Sequence, residues 1–196
     1  MPSDTSLARR DAVDVLLTDR RDMLVVSGLG SPTWDVFAAG DHDANFYLWG
    51  AMGGAALMGL GLAQAQPERK VLVITGDGEQ LMGIGGLATI AVAAPKNLSI
   101  VVLDNGLYGE TGMQLSHAGH GIDLARIAEA SNFAETQTAT TLDEVYAARE
   151  LIHRPANGPR LILVKVDPEL PPRVLPPRDA VYLKNRFRAH LGFDVN

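Results

Sequence analysis

The chain has 196 residues, 46% of them hydrophobic and 20% charged, which suits one globular domain with a buried core. Seventeen Lys and Arg against 23 Asp and Glu give a net charge of −6, and with no basic block to neutralise a run of phosphates, nucleic acid is not expected as a partner. Cysteine is absent, which removes disulfide frameworks, Cys-ligated zinc and Cys-bound iron–sulfur clusters.

The opening MPSDTSLARR lacks the apolar core of a signal peptide, and glycine and polar residues interrupt every apolar stretch before it could span a bilayer. A cytoplasmic protein with no membrane partner is expected. Residues 1–10 read as a flexible polar tail. In residues 11–17, Ala12, Val13, Leu16 and Leu17 recur at helical spacing, and residues 23–28, MLVVSG, form a short apolar run ended by glycine. Helix and then strand follow from this. Ser31-Pro32 before TWDVFAA reads as an N-cap with proline at the first helical position, and residues 45–50, NFYLWG, are the next strand-like run.

Residues 53–65 are built from Ala, Leu, Met and Gly and stop before Pro67, as a buried helix would. VLVIT, residues 71–75, is a fully apolar strand that closes on Gly76-Asp77-Gly78. Residues 81–94 repeat the small-and-apolar helical pattern up to Pro95, and LSIVVL, residues 98–103, is a second fully apolar strand. Strands without alternation are covered on both faces. Residues 123–131, 141–152 and 179–191 read as three further helices, with FAETQ and LILVKV as strands between them. DPELPPRVLPP is a proline-rich connector that lets the last helix fold back over the body.

Strands alternating with helices predict a doubly wound α/β fold, with a mainly parallel sheet and helices on both faces. The expected division is a main domain over 11–170 and a proline-rich connector with a C-terminal helix over 171–196. Ligands of such sheets sit at the carboxyl ends of the strands.

Two strand ends carry the chemistry: Gly76-Asp77-Gly78-Glu79 after VLVIT, and Asp104-Asn105-Gly106-Leu107-Tyr108-Gly109 after SIVVL. Glycines let backbone N–H groups approach an anion, and a carboxylate with an amide oxygen can hold a hard divalent cation such as magnesium. A metal-bound diphosphate is the natural guest, although either segment alone is also an ordinary turn. Asp77 and Asn105 stand 28 positions apart.

That pairing resembles the signature of the thiamine diphosphate enzymes, in which GDG is followed after some twenty-five residues by an asparagine at the next strand end. From about Met23 to Val166 the chain is similar to the diphosphate-binding half of the 2-oxoacid decarboxylases, above all the small split sulfopyruvate and phosphonopyruvate decarboxylases. The resemblance implies Mg²⁺ held by Asp77, Asn105 and the carbonyl of Leu107. It also implies diphosphate met by amides around Gly78 and Glu79, with Gly76, Tyr108 and Gly109 completing the cofactor-binding set. The family often has two asparagines where this chain has Asp104-Asn105. Trp49 to Gly53, WGAMG, resembles the segment where a bulky apolar residue wedges between the two rings of thiamine; Met52 takes that place, 25 positions before Asp77. The carbonyl of Gly50 is then the acceptor for the 4′-amino group. Simple core filling is the other reading of Met52. SGLGS, residues 27–31, resembles a further diphosphate loop.

ETGMQLSH, residues 110–117, looks like the TG-x-Q-x-S stretch of oxoacid oxidoreductases and is expected near the reactive end of the cofactor. His117 and His120 either orient a substrate acid and shuttle protons or are plain loop histidines. His42, His153 and His190 are read as structural. The family's activating glutamate belongs to a separate pyrimidine-binding domain that nothing here resembles. A partner α subunit supplying it is therefore implied, in an α2β2 or larger hetero-oligomer, with the apolar helices at 53–65 and 81–94 buried in the interface. The implied reaction is decarboxylation of a small anionic 2-oxo acid, sulfopyruvate before phosphonopyruvate. A subunit of an oxoacid:ferredoxin oxidoreductase, an acetolactate-type carboligase and a non-catalytic cofactor-binding module are the alternatives. The group that binds the substrate's anionic end is expected from the partner or the C-terminal helix.

Overall fold

The computed structural model describes residues 7–194. In chain order it contains α1 (Arg9–Leu17), β1 (Leu24–Ser27), α2 (Ser31–Ala38), β2 (Asn45–Tyr47), α3 (Ala55–Ala65), β3 (Val71–Gly76), α4 (Asp77–Met82), α5 (Gly85–Ala93) and β4 (Leu98–Asp104). A short hairpin, β5 (Leu107–Tyr108) and β6 (Gln114–Leu115), precedes α6 (Leu124–Ala130), β7 (Glu135–Ala139), α7 (Leu142–His153), β8 (Arg160–Lys165) and α8 (Ala180–His190). Six strands form one sheet in the order β2-β1-β3-β4-β8-β7, and every neighbouring pair is parallel. The doubly wound reading is therefore correct.

Alternate side chains of each central strand feed two separate cores, as the two-residue period of a strand requires. Val71 and Val73 of β3 and Leu98, Ile100 and Val102 of β4 pack with Leu60 of α3, Leu87 and Ile90 of α5, and Leu124 of α6. Leu72, Ile74, Val101 and Leu103 face the opposite way, onto Leu16 of α1, Val36 of α2 and Val145 and Leu151 of α7. No helix among the described residues is long and apolar enough to cross a membrane.

Several boundaries differ from the sequence expectation for local physical reasons. Residues 1–6 of the expected tail lie outside the described residues, and Arg9 and Arg10 already belong to α1, where Arg9 is buried. Ser31 is the first residue of α2 rather than its cap; Thr33 ties the loop instead, its hydroxyl donating to the Gly28 carbonyl at 2.7 Å. β2 ends at Tyr47, and the Trp49 indole N–H leaves the sheet to donate to the Pro177 carbonyl at 2.8 Å. α3 starts two residues late because a turn closes first, with the Gly54 N–H on the Ala51 carbonyl at 2.8 Å.

The expected helix over 81–94 starts earlier, at Asp77, and breaks after Met82. Gly83 lies at the break because a Cβ there would stand 2.1 Å from the Gly53 carbonyl oxygen. The strand expected at FAETQ begins at Glu135, since the Phe133 N–H is spent on the Ala128 carbonyl in closing α6. The connector does return α8 to the body, where Phe187 meets Phe46 edge to face at 5.6 Å and Arg186 bonds Asp41 at 2.6 Å.

Candidate functional site

The direction of winding reverses between β1 and β3, and a cleft of about 190 Å³ opens beside their carboxyl ends and that of β4. Ligand sites of doubly wound sheets are expected at such reversals. Leu29 comes from the β1–α2 connection, Pro32 from the first turn of α2, Gly76 to Glu79 from the β3–α4 junction, Leu103 and Asn105 from the end of β4, and Leu107 to Thr111 from the hairpin. Met52 reaches in from the loop after β2, and Arg9 from the start of α1.

Asp77 is 2% exposed, and its carboxylate accepts a hydrogen bond from the Ser116 hydroxyl. Burial pushes the Asp77 carboxyl up to about 6; the Ser116 hydroxyl offsets part of the rise, and the charge of nearby Asp104 adds to it. A buried carboxylate without a cationic partner has the electrostatics a bound cation would relieve. Asn105 lines the same cleft and uses its side-chain oxygen to accept the Leu107 N–H at 3.1 Å.

The neighbouring carboxylate is turned elsewhere. Asp104 pairs with Lys165 and accepts the Gly106 N–H at 2.9 Å, so it braces the strand end and leaves Asn105 in the cleft. In the β5–β6 register, Leu107 stands opposite Leu115 next to the bonded pair in which Ser116 N–H meets Gly106 C=O at 2.8 Å. Residues opposite one another alternate between bonded and non-bonded pairs in an antiparallel ladder, so the Leu107 carbonyl is left out of the ladder.

Glu79 is buried, and burial raises its carboxyl. Its side chain accepts from the Thr75 hydroxyl at 3.0 Å and the Leu29 N–H at 2.8 Å, which ties the loop after β1 to α4. Both bonds go to Oε2, while Oε1 is buried without a hydrogen-bond partner among the described residues; the backbone amide, in the first turn of α4, also remains for a ligand. Gly78 is required by packing: a Cβ there would lie 2.5 Å from the Tyr108 ring, which closes over the start of α4.

Met52 is 38% exposed and lines the cleft, with Ala51 before it held at φ +57°. Gly50 is exposed in the same loop and stands outside the cleft lining. His117 also stands outside the lining, its Nδ1 3.5 Å from the Tyr108 hydroxyl, and His120 is exposed in a single 3₁₀ turn. Thr111 and Gln114 of the TG-x-Q-x-S stretch clip the hairpin together, with the Thr111 hydroxyl on the Gln114 side-chain oxygen and the Gln114 amide on the Thr111 carbonyl, both at 2.8 Å.

Sequence reasoning missed three residues of this region. Ser116 sits inside the stretch singled out, but the fold alone shows that it reaches Asp77. Lys165 follows from no local pattern. Arg9 lay in the segment taken for a tail, although it lines the cleft with its side chain 6% exposed.

Residues 36–164 match the family described as thiamine pyrophosphate enzyme, C-terminal TPP binding domain. The chain is 42% identical over 137 residues to the sulfopyruvate decarboxylase subunit beta of Methanothermobacter thermautotrophicus, covering 70% of this chain and 73% of that one. It is 38% identical over 148 residues to the phosphonopyruvate decarboxylase of Streptomyces viridochromogenes, covering 76% of this chain but 36% of that one. Among solved structures, it superposes with a TM-score of 0.72 and 26% identity on a Mycobacterium smegmatis protein described as thiamin diphosphate-dependent, over 85% of this chain and 34% of that one.

Proposed function

The chain belongs to the thiamine pyrophosphate enzymes by its C-terminal-type TPP binding domain, and on that premise we propose that it is the cofactor-holding subunit of a two-subunit 2-oxoacid decarboxylase. Sulfopyruvate is the first substrate to test, with phosphonopyruvate second, since relatives carry both names. The observation that carries the reading is the convergence of buried Asp77 and half-buried Asn105 on one cleft at the reversal of the sheet.

The donor set fits a magnesium diphosphate. Asp77 offers a buried carboxylate, Asn105 an amide oxygen and Leu107 a carbonyl outside the ladder, all hard oxygen donors. The amides of Gly78 and Glu79, in the first turn of α4, would meet the diphosphate beside Gly76, while Tyr108 and Gly109 close the cleft above it. Met52 would support the bent cofactor, and the Gly50 carbonyl its amino group. Held there, the cofactor would supply a nucleophilic thiazolium carbon and an electron sink for decarboxylation. His117, beside the Tyr108 hydroxyl, and His120 are proposed to orient the substrate acid or carry protons.

The activating glutamate is assigned to a pyrimidine-binding partner subunit, in an α2β2 or larger assembly that works in the cytoplasm. Two observations support this. The chain spans most of a named beta subunit but about a third of a phosphonopyruvate decarboxylase named without a subunit. Leu57 and Met58 of α3, Met82, Ile84 and Val92 are exposed, Val92 at 89%, on the helices read as an interface. Within the chain, the proposed functional body is 11–170, with 171–196 as its strap. Co-expression with a pyrimidine-binding partner, followed by a screen of 2-oxo acids for carbon dioxide release, tests the reading. Release from sulfopyruvate is expected, and inertness of the assembled pair toward every 2-oxo acid would overturn it.

A further inference from the structure

Arg9 is the one cationic side chain lining the cleft among the described residues. Its Nε donates to Asp35 Oδ2 at 2.5 Å, and no further hydrogen bond leaves its guanidinium among the described residues. Asp35 is 1% exposed and has a second arginine nearby. The Arg10 Nε stands 3.6 Å from Oδ1, beyond hydrogen-bond reach, and an Arg10 terminal nitrogen donates to the Pro172 carbonyl instead. One buried carboxylate therefore faces two guanidinium groups.

The other charged residues of the cleft do not supply the missing anion. Asp77 is engaged by Ser116 and Glu79 by Thr75 and Leu29, while Glu110 lies against Gly30 and forms no ion pair with Arg9. Arg9 is 5% exposed, yet none of its nitrogens is among the fully buried side-chain atoms left without a partner in the described residues, so its terminal nitrogens keep access to the cleft. A guanidinium anchored through Nε presents its two terminal nitrogens as a planar fork, the geometry that recognises phosphate-like oxyanions.

We propose that Arg9, held by Asp35, is an oxyanion-binding residue of the cleft that presents its terminal nitrogens to a phosphate- or sulfonate-type group. This rests on the decarboxylase reading for its two possible sources, the terminal phosphate of the cofactor or the strong acid of the substrate. With the substrate's acid as the source, Arg9 is an alternative to an anion-binding group from the partner or the C-terminal helix.

The test uses the full chain, the Arg9→Lys variant, which keeps charge without the fork, and the Arg9→Met/Asp35→Asn double variant, which removes both buried charges together. Calorimetric titration of the chain alone with inorganic pyrophosphate and with sulfate, without magnesium, reads the fork independently of cofactor chemistry. Wild type is expected to bind at least one of them about tenfold or more tightly than either variant. Equal affinity in all three, or no binding to wild type, overturns the proposal. In the assembled pair, a higher Kd for magnesium thiamine diphosphate in the variants names the cofactor as source. A higher KM for the 2-oxo acid at unchanged cofactor Kd names the substrate. Asp77→Asn separates this claim from the wider reading, since it is expected to lose the magnesium cofactor while keeping the magnesium-free anion.

Discussion

The hydroxyl of Ser116 donates to the carboxylate of Asp77, 39 positions away, and so pins the end of the β5–β6 hairpin to the first residue of α4. The hairpin that roofs the cleft and the acid on its floor are one unit. Through that contact, the roof influences the charge state of the group assigned to the metal.

The first prediction concerns pH. The Asp77 carboxyl lies at about 6 in the folded chain against 3.8 for the ordinary group. A raised folded value means that its stabilising contribution is complete below the ordinary value and is lost as pH rises through about 6. The loss is about 3 kcal/mol in the cation-free chain. Asp77→Asn is expected to abolish this component, so that denaturant titrations of variant and wild type diverge between about pH 4 and about pH 7. Magnesium thiamine diphosphate should bind wild type more tightly as pH rises over the same window, and the variant at no pH. Parallel stability curves for the two proteins would show that Asp77 does not titrate as described.

Ser116→Ala removes the hydroxyl that lowers the Asp77 pKa. The midpoint of the pH dependence of cofactor binding is expected to move upward, by up to about one pH unit. A midpoint that stays in place or falls would show that the hydroxyl does not favour the charged form.

Gly78→Ala places a methyl group 2.5 Å from the Tyr108 ring. The ring must shift and the hairpin with it, so cofactor affinity should fall about tenfold or more at a cost of about 1–3 kcal/mol in stability. Tyr108→Leu in the same chain, which removes the aromatic ring, should recover much of the stability. Unfolding in denaturant measures this, and no recovery would place the strain elsewhere.

Lys165 is exposed at the end of β8 and faces the buried Asp104. Lys165→Met leaves Asp104 without its cation and is expected to cost about 1–2 kcal/mol in thermal or chemical unfolding. Asp104→Asn keeps an oxygen for the Gly106 N–H and should be milder, and adding it to Lys165→Met should restore most of the loss.

Val92 and Met82 are 89% and 63% exposed. Charged substitutions at both, Val92→Glu and Met82→Lys, should leave the unfolding of the isolated chain within about 0.5 kcal/mol of wild type and abolish co-purification with the partner. Undiminished association would remove these helices from the interface.

The strands buried on both faces and the helices between them were legible in the sequence because VLVIT and LSIVVL admit no solvated face. The pairing of Asp77 with Asn105 was legible through spacing and resemblance. The hairpin was not: two strand residues on each side carry no periodic signal, and its stability comes from the Thr111–Gln114 clip and from Ser116 on Asp77. The break between α4 and α5 was hidden because it answers the approach of Gly53, a contact between segments far apart in sequence. Arg9 was hidden for a related reason. A charged residue near a terminus reads as solvated, and only the distant Asp35 draws it into the body.

The central claim is that this chain holds the cofactor while a partner activates it. Deuterium exchange at the thiazolium C2 of bound cofactor, followed by NMR, tests it most directly. The isolated chain with magnesium and thiamine diphosphate is expected to exchange no faster than free cofactor, and addition of the pyrimidine-binding partner should accelerate exchange strongly. Rapid exchange in the isolated chain would show that it carries its own activating acid and would contradict the two-subunit account.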